Sequence, residues 1–286
     1  MRTFKKAYLE ITNCCNLSCS FCHGTRRAPK MLSEAEFEIL TDALAGQVKF
    51  LYFHLMGEPL LHPLFPKFVR RAREKGFLPV LTTNGSLLGK RGDELLEKLP
   101  YKISISLHAP AANAAFADRS YFDTCIDFAK RAADRGCIMV LRLWNLGGDG
   151  ESENDAILAR LHEAFPGEWT PSYFKSLRLG RDRVFLEWGE HFEWPDPAAP
   201  AVSEDADMFC YGLRDQIGIL SDGTVVPCCL DADGNLALGN LFSTPLGEIL
   251  EGPRAKRIYD GFTCRRAAEE LCRRCGYAKR FSKKDS

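Results

Sequence analysis

Short apolar runs alternate along this chain with segments whose apolar positions recur every three or four residues, the pattern of strands separated by amphipathic helices. Residues 7–12, 78–83, 101–107 and 137–144 have the length and composition of strands, and 48–55 is apolar and aromatic enough to be buried on both faces. A sixth strand is expected within about 177–188. Between them, Ser33, Glu34, Ala35 and Glu36 form a capping box that opens a helix to about Leu44. Further helices are predicted over 63–75, where Gly76 ends the pattern, and over 93–99, 121–135 and 152–165. Repeated βα units of this length give a parallel sheet with right-handed crossovers, closed into a barrel or wound as an open layer. Each unusual polar cluster falls where a strand ends, the rim on which such folds place their sites.

The rhythm holds over residues 1–193 and then stops. The proline-rich stretch that begins at Trp194 continues neither a helix nor a central strand, and 194–209 is expected to be a linker. In 210–286, strands over 215–220 and 224–226 flank Ser221-Asp222-Gly223, a hairpin signal. Thr244 and Pro245 should open a short helix, with Pro245 at its first position.

Charge removes several classes of partner. Thirty-eight basic residues balance thirty-eight acidic ones in 286, so no global field attracts nucleic acid or an anionic membrane, and a small molecule or a peptide is the expected substrate. No signal-type apolar segment or 18-residue apolar run is present, which predicts a cytoplasmic protein. Twelve cysteines in that compartment argue for metal ligation over disulfides.

The densest chemistry follows the first strand. Cys15, Cys19 and Cys22, at spacings of four and three, can wrap three soft thiolates around one centre and leave a metal position without a protein ligand. A structural zinc loop would need a fourth ligand. Cys19-Ser-Phe-Cys22-His23 also fits the c-type haem pattern, although the third cysteine and the missing export signal do not.

Taken with Gly57-Glu58-Pro59 after the second strand, Thr83-Asn84-Gly85 after the third, and Ser104, Ser106 and His108 at the fourth, this loop resembles the radical S-adenosylmethionine (SAM) enzymes over residues 7–190. The resemblance implies a partial (β/α)6 TIM-type barrel in which Cys15, Cys19 and Cys22 hold a [4Fe–4S] cluster whose fourth iron is chelated by SAM. It implies reductive cleavage of SAM to a 5′-deoxyadenosyl radical that abstracts hydrogen from a substrate, fed by a reductant such as flavodoxin or ferredoxin. By the same resemblance Glu58 accepts from the methionyl amino group, Gly57 allows close approach, and Ser106 and Arg142 serve ribose and carboxylate, with Arg119 as a rival. Pro59 and Asn84 complete the cofactor-binding set. Met56 stands where the family often has another glycine.

Residues 210–286 are similar to the SPASM/twitch appendage of that superfamily, a small cysteine-rich α+β domain of hairpin plus helix. Cys210, Cys228, Cys272 and Cys275 would hold one auxiliary [4Fe–4S] cluster for electron transfer, as in the shorter twitch form. A four-cysteine zinc site has the same ligand count. Cys14 and Cys229 neighbour ligands and read as spare thiols, with Cys229 also a candidate hydrogen-atom donor; Cys125 and Cys137 read as core, and Cys264 has no assigned role. Arg273 and Arg274 would offset cluster charge or lie on the surface, and Trp188, Glu190, His191 and Trp194 would line a substrate site or an exposed linker. With about six residues ahead of the first strand, leader-dependent peptide modification would call for a separate recognition protein. The resulting expectation is a radical SAM enzyme for peptide maturation or small-molecule oxidation; the alternative is a non-catalytic iron–sulfur or zinc protein on the same fold.

Overall fold

The computed structural model describes residues 3–113, 115–116, 118–173, 175–201 and 208–281, so residues 202–207 of the expected linker lie outside the described residues. Strand β1 (Phe4–Leu9) is followed by α1 (Glu34–Leu44), β2 (Val48–Tyr52), α2 (Phe65–Glu74), β3 (Leu78–Thr83), α3 (Leu88–Glu97), β4 (Lys102–Ser106), α4 (Tyr121–Asp134), β5 (Ile138–Leu146) and α5 (Asn154–Ala164). Then come β6 (Trp169–Pro171), β7 (Ser176–Leu179), β8 (Val184–Glu190), β9 (Gln216–Ile219), β10 (Thr224–Val226), β11 (Gly239–Asn240), α6 (Leu246–Glu251), α7 (Pro253–Thr263) and α8 (Glu270–Arg273).

Among the described residues these strands form one open sheet, ordered β11-β10-β9-β1-β2-β3-β4-β5-β8-β7-β6. The run from β9 to β8 is parallel throughout, and both flanks are antiparallel. The fold is therefore a partial barrel, with one parallel strand more than the βα repeats supply. The extra strand is β9, which pairs with β1 through Lys6–Gln216 to Leu9–Ile219. The predicted hairpin β9–β10 is thus built into the barrel sheet.

Other expectations shift for local reasons. The sixth parallel strand is β8 alone; the stretch predicted as one strand folds back as the hairpin β7–β8. Its turn is made by Gly180 and Arg183, both at positive φ. Helix α3 starts well before residue 93 because Leu88, Gly92 and Leu95 form its buried stripe, and Gly92 lets Phe128 of α4 approach to where a Cβ would stand 3.2 Å away. Pro245 caps α6 instead of occupying its first turn. The Ser33–Glu36 capping box is present, with Glu36 N donating to Ser33 Oγ and Ser33 N to Glu36 Oε2.

Side chains of directly paired residues share a sheet face. On one face Ala7, Leu9, Leu51, Leu81, Ile103, Ile105, Leu141, Leu143 and Leu186 are fully buried beneath the helices. The register puts Lys6, Tyr8, Tyr52, Lys102, Ser106, Arg142 and Glu187 on the other, concave face. Most of these are only half-buried although they stand inside the barrel, so they line a cavity.

Candidate functional site: a cysteine loop, a cavity and a second thiol cluster

Residues 12–31 leave the end of β1 and return to it. An antiparallel bridge joins Thr12 to Met31, Leu32 N donates to Ile11 O at 2.9 Å, and Asn13 braces the neck by donating to Ala28 O and accepting from Lys30 N. Within this loop Cys15 and Cys22 are exposed and Cys19 is half-buried. Burial, with Cys22 and Cys15 nearby, pushes the Cys19 thiol up to about 11. The three sulfurs are close enough to disfavour one another as thiolates, so they stay protonated unless a bound cation offsets the charge.

The other strand ends close on this loop. Gly57 has φ +77°, and a Cβ on it would lie 2.5 Å from Thr12 O and 2.7 Å from Cys14 O. The close approach this glycine permits is thus to the cysteine-loop backbone, not only to a cofactor. Glu58 N then donates to Cys14 O at 2.8 Å. The Glu58 carboxylate is 2% exposed and accepts from Leu60 N (3.0 Å), Thr83 Oγ1 (2.8 Å) and Asn84 N (2.8 Å), tying the β2 end to the β3 end. Burial raises its carboxyl to about 7 against the pull of those donors. Pro59 opens the short turn that Glu58 caps. Asn84 Nδ2 donates to Asn16 Oδ1 at 3.1 Å and approaches Cys15 Sγ at 3.9 Å. Met56, in place of a glycine, belongs to a small apolar cluster with Tyr8, Leu55, Leu220 and Val226.

Ser106 and Arg142 are register partners at the β4 and β5 ends. The Arg142 guanidinium stacks 3.7 Å over the Trp144 ring, and the groups acting on its charge are Glu187, Tyr8, Tyr277 and Tyr52. It therefore faces the cavity. Arg119 is exposed ahead of α4. Of the three histidines at the rim, His62 is satisfied by Leu32 O and Leu64 N, and His108 contacts the β5 backbone. His54 differs: its buried Nδ1 has no partner among the described residues, and burial lowers it to about 3.

The C-terminal segment supplies a second cluster. Burial holds Cys228 and Cys272 well above their usual range and Cys210 at about 11, and Cys275 acts on all three of these thiols. Gly212 N donates to Cys210 Sγ at 3.4 Å. Cys264 is exposed; Cys125 and Cys137 are core. Arg273 and Arg274 both pair with Glu270. Cys229 stands beside Tyr8, Lys6 and Arg142 and also acts on Cys210, Cys228 and Cys275, so it borders both the cluster and the cavity. Among the described residues no three such side chains converge tightly enough for a single metal ion. A loop of three thiols and a half-buried set of four suit multi-iron clusters that bind thiolates and displace their protons.

Several clasps were missed in the sequence. Glu10, fully buried, accepts from Arg27 (2.7 Å), Met56 N (3.3 Å) and Ser221 N and Oγ (3.1 and 2.9 Å), joining the cysteine loop, the β2 end and the hairpin turn. Asp233 accepts from Thr25 Oγ1 and Arg26 N, each at 2.8 Å, and Arg27 Nε donates to Ala232 O. Trp194 Nε1 donates to Phe21 O at 3.0 Å, so the start of the expected linker is anchored on the cysteine loop. A charged residue closing an otherwise apolar strand was the one available signal for Glu10.

Residues 9–161 match the family model described as the radical SAM superfamily, and residues 210–276 match SPASM, an iron–sulfur cluster-binding domain. The chain belongs to the radical SAM superfamily. Its SPASM match sets it among members with an auxiliary iron–sulfur domain, so that SAM and [4Fe–4S] clusters are its cofactors. Over 99 residues it is 39% identical to the tungsten-containing aldehyde ferredoxin oxidoreductase cofactor-modifying protein of Pyrococcus furiosus, covering 33% of this chain and 27% of that protein. Over 283 residues it is 24% identical to the antilisterial bacteriocin subtilosin biosynthesis protein AlbA of Bacillus subtilis, covering 88% and 61%. The chain thus spans less than two thirds of the length of these relatives. The crystal structure of Streptococcus suis SuiB bound to its precursor peptide SuiA shares the fold at a TM-score of 0.58 and 16% identity, covering 98% of this chain and 71% of that one. Among the described residues no helix is long and apolar enough to cross a membrane.

Proposed function

We propose that this chain is a radical SAM enzyme acting on a substrate held between its two thiol clusters. The observation that carries the reading is the joining of three strand ends around Cys15, Cys19 and Cys22 by Gly57, Glu58 and Asn84. Cys15, Cys19 and Cys22 would hold the SAM-binding cluster, and Cys210, Cys228, Cys272 and Cys275 the auxiliary one. When bound, these groups supply the electron that cleaves SAM and the radical that takes a hydrogen atom from the substrate.

The chain's own residues position and exclude. Three of about four lone-pair directions on the Glu58 carboxylate are taken by protein donors, which leaves one for the methionyl ammonium. Asn84 and Ser106 stand at adjacent strand ends, where ribose hydroxyls would be met. Arg142 would reach the SAM carboxylate or the substrate. Trp194 and the clasp at Asp233 would hold the loop in place.

Residues 1–193, 194–209 and 210–286 serve as barrel, connector and auxiliary-cluster segment in this reading. The names of AlbA and of the SuiB–SuiA complex support peptide maturation; oxidation of a small molecule is the other form of the same chemistry. A flavodoxin or ferredoxin would supply electrons. Anaerobic reconstitution followed by dithionite and SAM should release 5′-deoxyadenosine, and its absence above a Cys19→Ala control would reject the enzyme. Iron at about eight per chain, against about four, reports the auxiliary cluster, and one zinc per chain would replace it with a structural site.

A further inference from the structure

The concave face of the sheet carries more positive charge than SAM binding uses. Lys6 on β1, Lys102 on β4 and Arg142 on β5 share it with one carboxylate, Glu187 on β8. Lys6 Nζ lies 5.3 Å from the Tyr8 ring centroid and 5.7 Å from that of Tyr52, and those two rings and His54 pack within 5.0–5.7 Å of one another. Cys229, Asp215 and Cys210 act on Lys6 through space, and among the described residues none of them makes a hydrogen bond or ion pair with it. Among the described residues none of Lys6, Lys102, Arg142 and Glu187 takes part in a salt bridge. Arg142 Nε, His54 Nδ1 and Trp144 Nε1 are each dehydrated and unpaired.

That is the reverse of the outer surface, where Lys30, Lys67 and Lys75 all reach carboxylates at 2.6 Å. Interior cations are ordinarily paired, because an uncompensated buried charge is costly. A negative partner from outside the chain would remove that cost. The carboxylate of SAM does not suffice. Lys102 stands four residues before Ser106 on β4, roughly 13 Å further down the strand at about 3.3 Å per residue, and Lys6 is deeper again by the register of β1 against β2.

We propose that the cavity is the anion subsite for the substrate, with Lys6 and Lys102 at its base and Arg142 above them, and that the substrate is an organic oxyanion carrying a carboxylate or phosphate group. Tyr8, Tyr52 and Trp144 form the aromatic wall beside that group, and the Cys229 thiol opens onto it. Arg142 is held ready by its stacking on Trp144, so little side-chain freedom is lost on binding. The word substrate rests on the radical SAM reading; the binding of an anion does not need turnover.

Equilibrium dialysis of the full, anaerobically reconstituted chain tests this, with saturating SAM, fixed ionic strength, and radiolabelled succinate or inorganic phosphate as probe. One probe should bind at one per chain, and its identity distinguishes a carboxylate from a phosphate subsite. Lys6→Met and Lys102→Met should each weaken binding at least tenfold, and Lys102→Arg should recover most of it. The same probe should raise the thermal midpoint of the wild type and not of Lys102→Met, a comparison that also shows the variant to be folded. Binding of neither probe, or equal binding by wild type and folded Lys→Met variants, would overturn the proposal. A protein that cleaves SAM but binds neither anion loses only this inference; one that binds the anion and never cleaves SAM keeps the subsite and loses the radical chemistry.

Discussion

Replacing Gly57 by alanine separates two costs that usually arrive together. At φ +77° an alanine side chain costs about 1–2 kcal/mol, because its Cβ crowds its own carbonyl in the left-handed region. The same Cβ would stand 2.5, 2.7 and 2.9 Å from backbone atoms of Thr12, Cys14 and Asn13. Since these are backbone and not a flexible side chain, the neck of the cysteine loop must shift, at a typical overpacking cost of about 1–3 kcal/mol. Gly46, at φ +73° with nothing within 4 Å of its would-be Cβ, carries the first cost alone. Gly46→Ala should therefore lose about 1–2 kcal/mol and Gly57→Ala about 2–5 kcal/mol, the latter a fall of roughly 3–8 °C in the thermal midpoint for a chain of this size. Circular dichroism melts of the metal-free proteins measure the difference, and iron analysis after reconstitution reads its consequence. Iron should drop by about four per chain in Gly57→Ala alone, because the displaced carbonyls lead directly into Cys15. Equal melting shifts for the two variants, or full iron in Gly57→Ala, would refute the reasoning.

Three further outcomes are expected. Arg27→Met leaves the Glu10 carboxylate buried without its cation and should cost about 3–5 kcal/mol in chemical denaturation, part of which Glu10→Gln in the same chain restores. Glu58 has a folded pKa of about 7 against 4.5 unfolded, so the folded state holds the extra proton and its ionisation opposes folding. Metal-free wild type should accordingly lose about 3 kcal/mol relative to Glu58→Gln as pH rises from about 4.5 to above 7, and parallel urea profiles for the two would contradict the burial. Cys272→Ser should remove about four irons per chain and Cys264→Ser none, as scored by iron and sulfide analysis.

The βα rhythm, the loop chemistry and the cysteine sets were legible because they depend on local spacing. Capping at Ser33 is local too, and it is present as read. What the sequence hid was chosen by tertiary contact. Gly92 weakens a helix on propensity, yet it is the point at which α3 fits against Phe128. The turn at Gly180 interrupts a stretch whose composition reads as one strand. Arg142 could be assigned to SAM from its place at a strand end, but only the register with Glu187 and the neighbourhood of Tyr8 show that it faces the cavity. Neither Glu10, inside the expected first strand, nor Lys6, just ahead of it, carries a local signal of its place in the fold. Their burial follows from β9, more than 200 residues later, which covers the free side of β1.

That last pairing sets an order of events during synthesis. Until residue 219 has left the ribosome, β1 is paired only with β2 and presents an open edge, a template for unwanted strand addition. The cysteine loop hangs from that edge, and its clasp at Ala232 and Asp233 is made later still. Late, long-range closure of this kind slows folding. It also means that the nascent chain cannot clasp its first cluster site before the segment bearing the second has begun to emerge, so a prematurely terminated chain would expose three thiols on a loose loop and hold no finished site for iron.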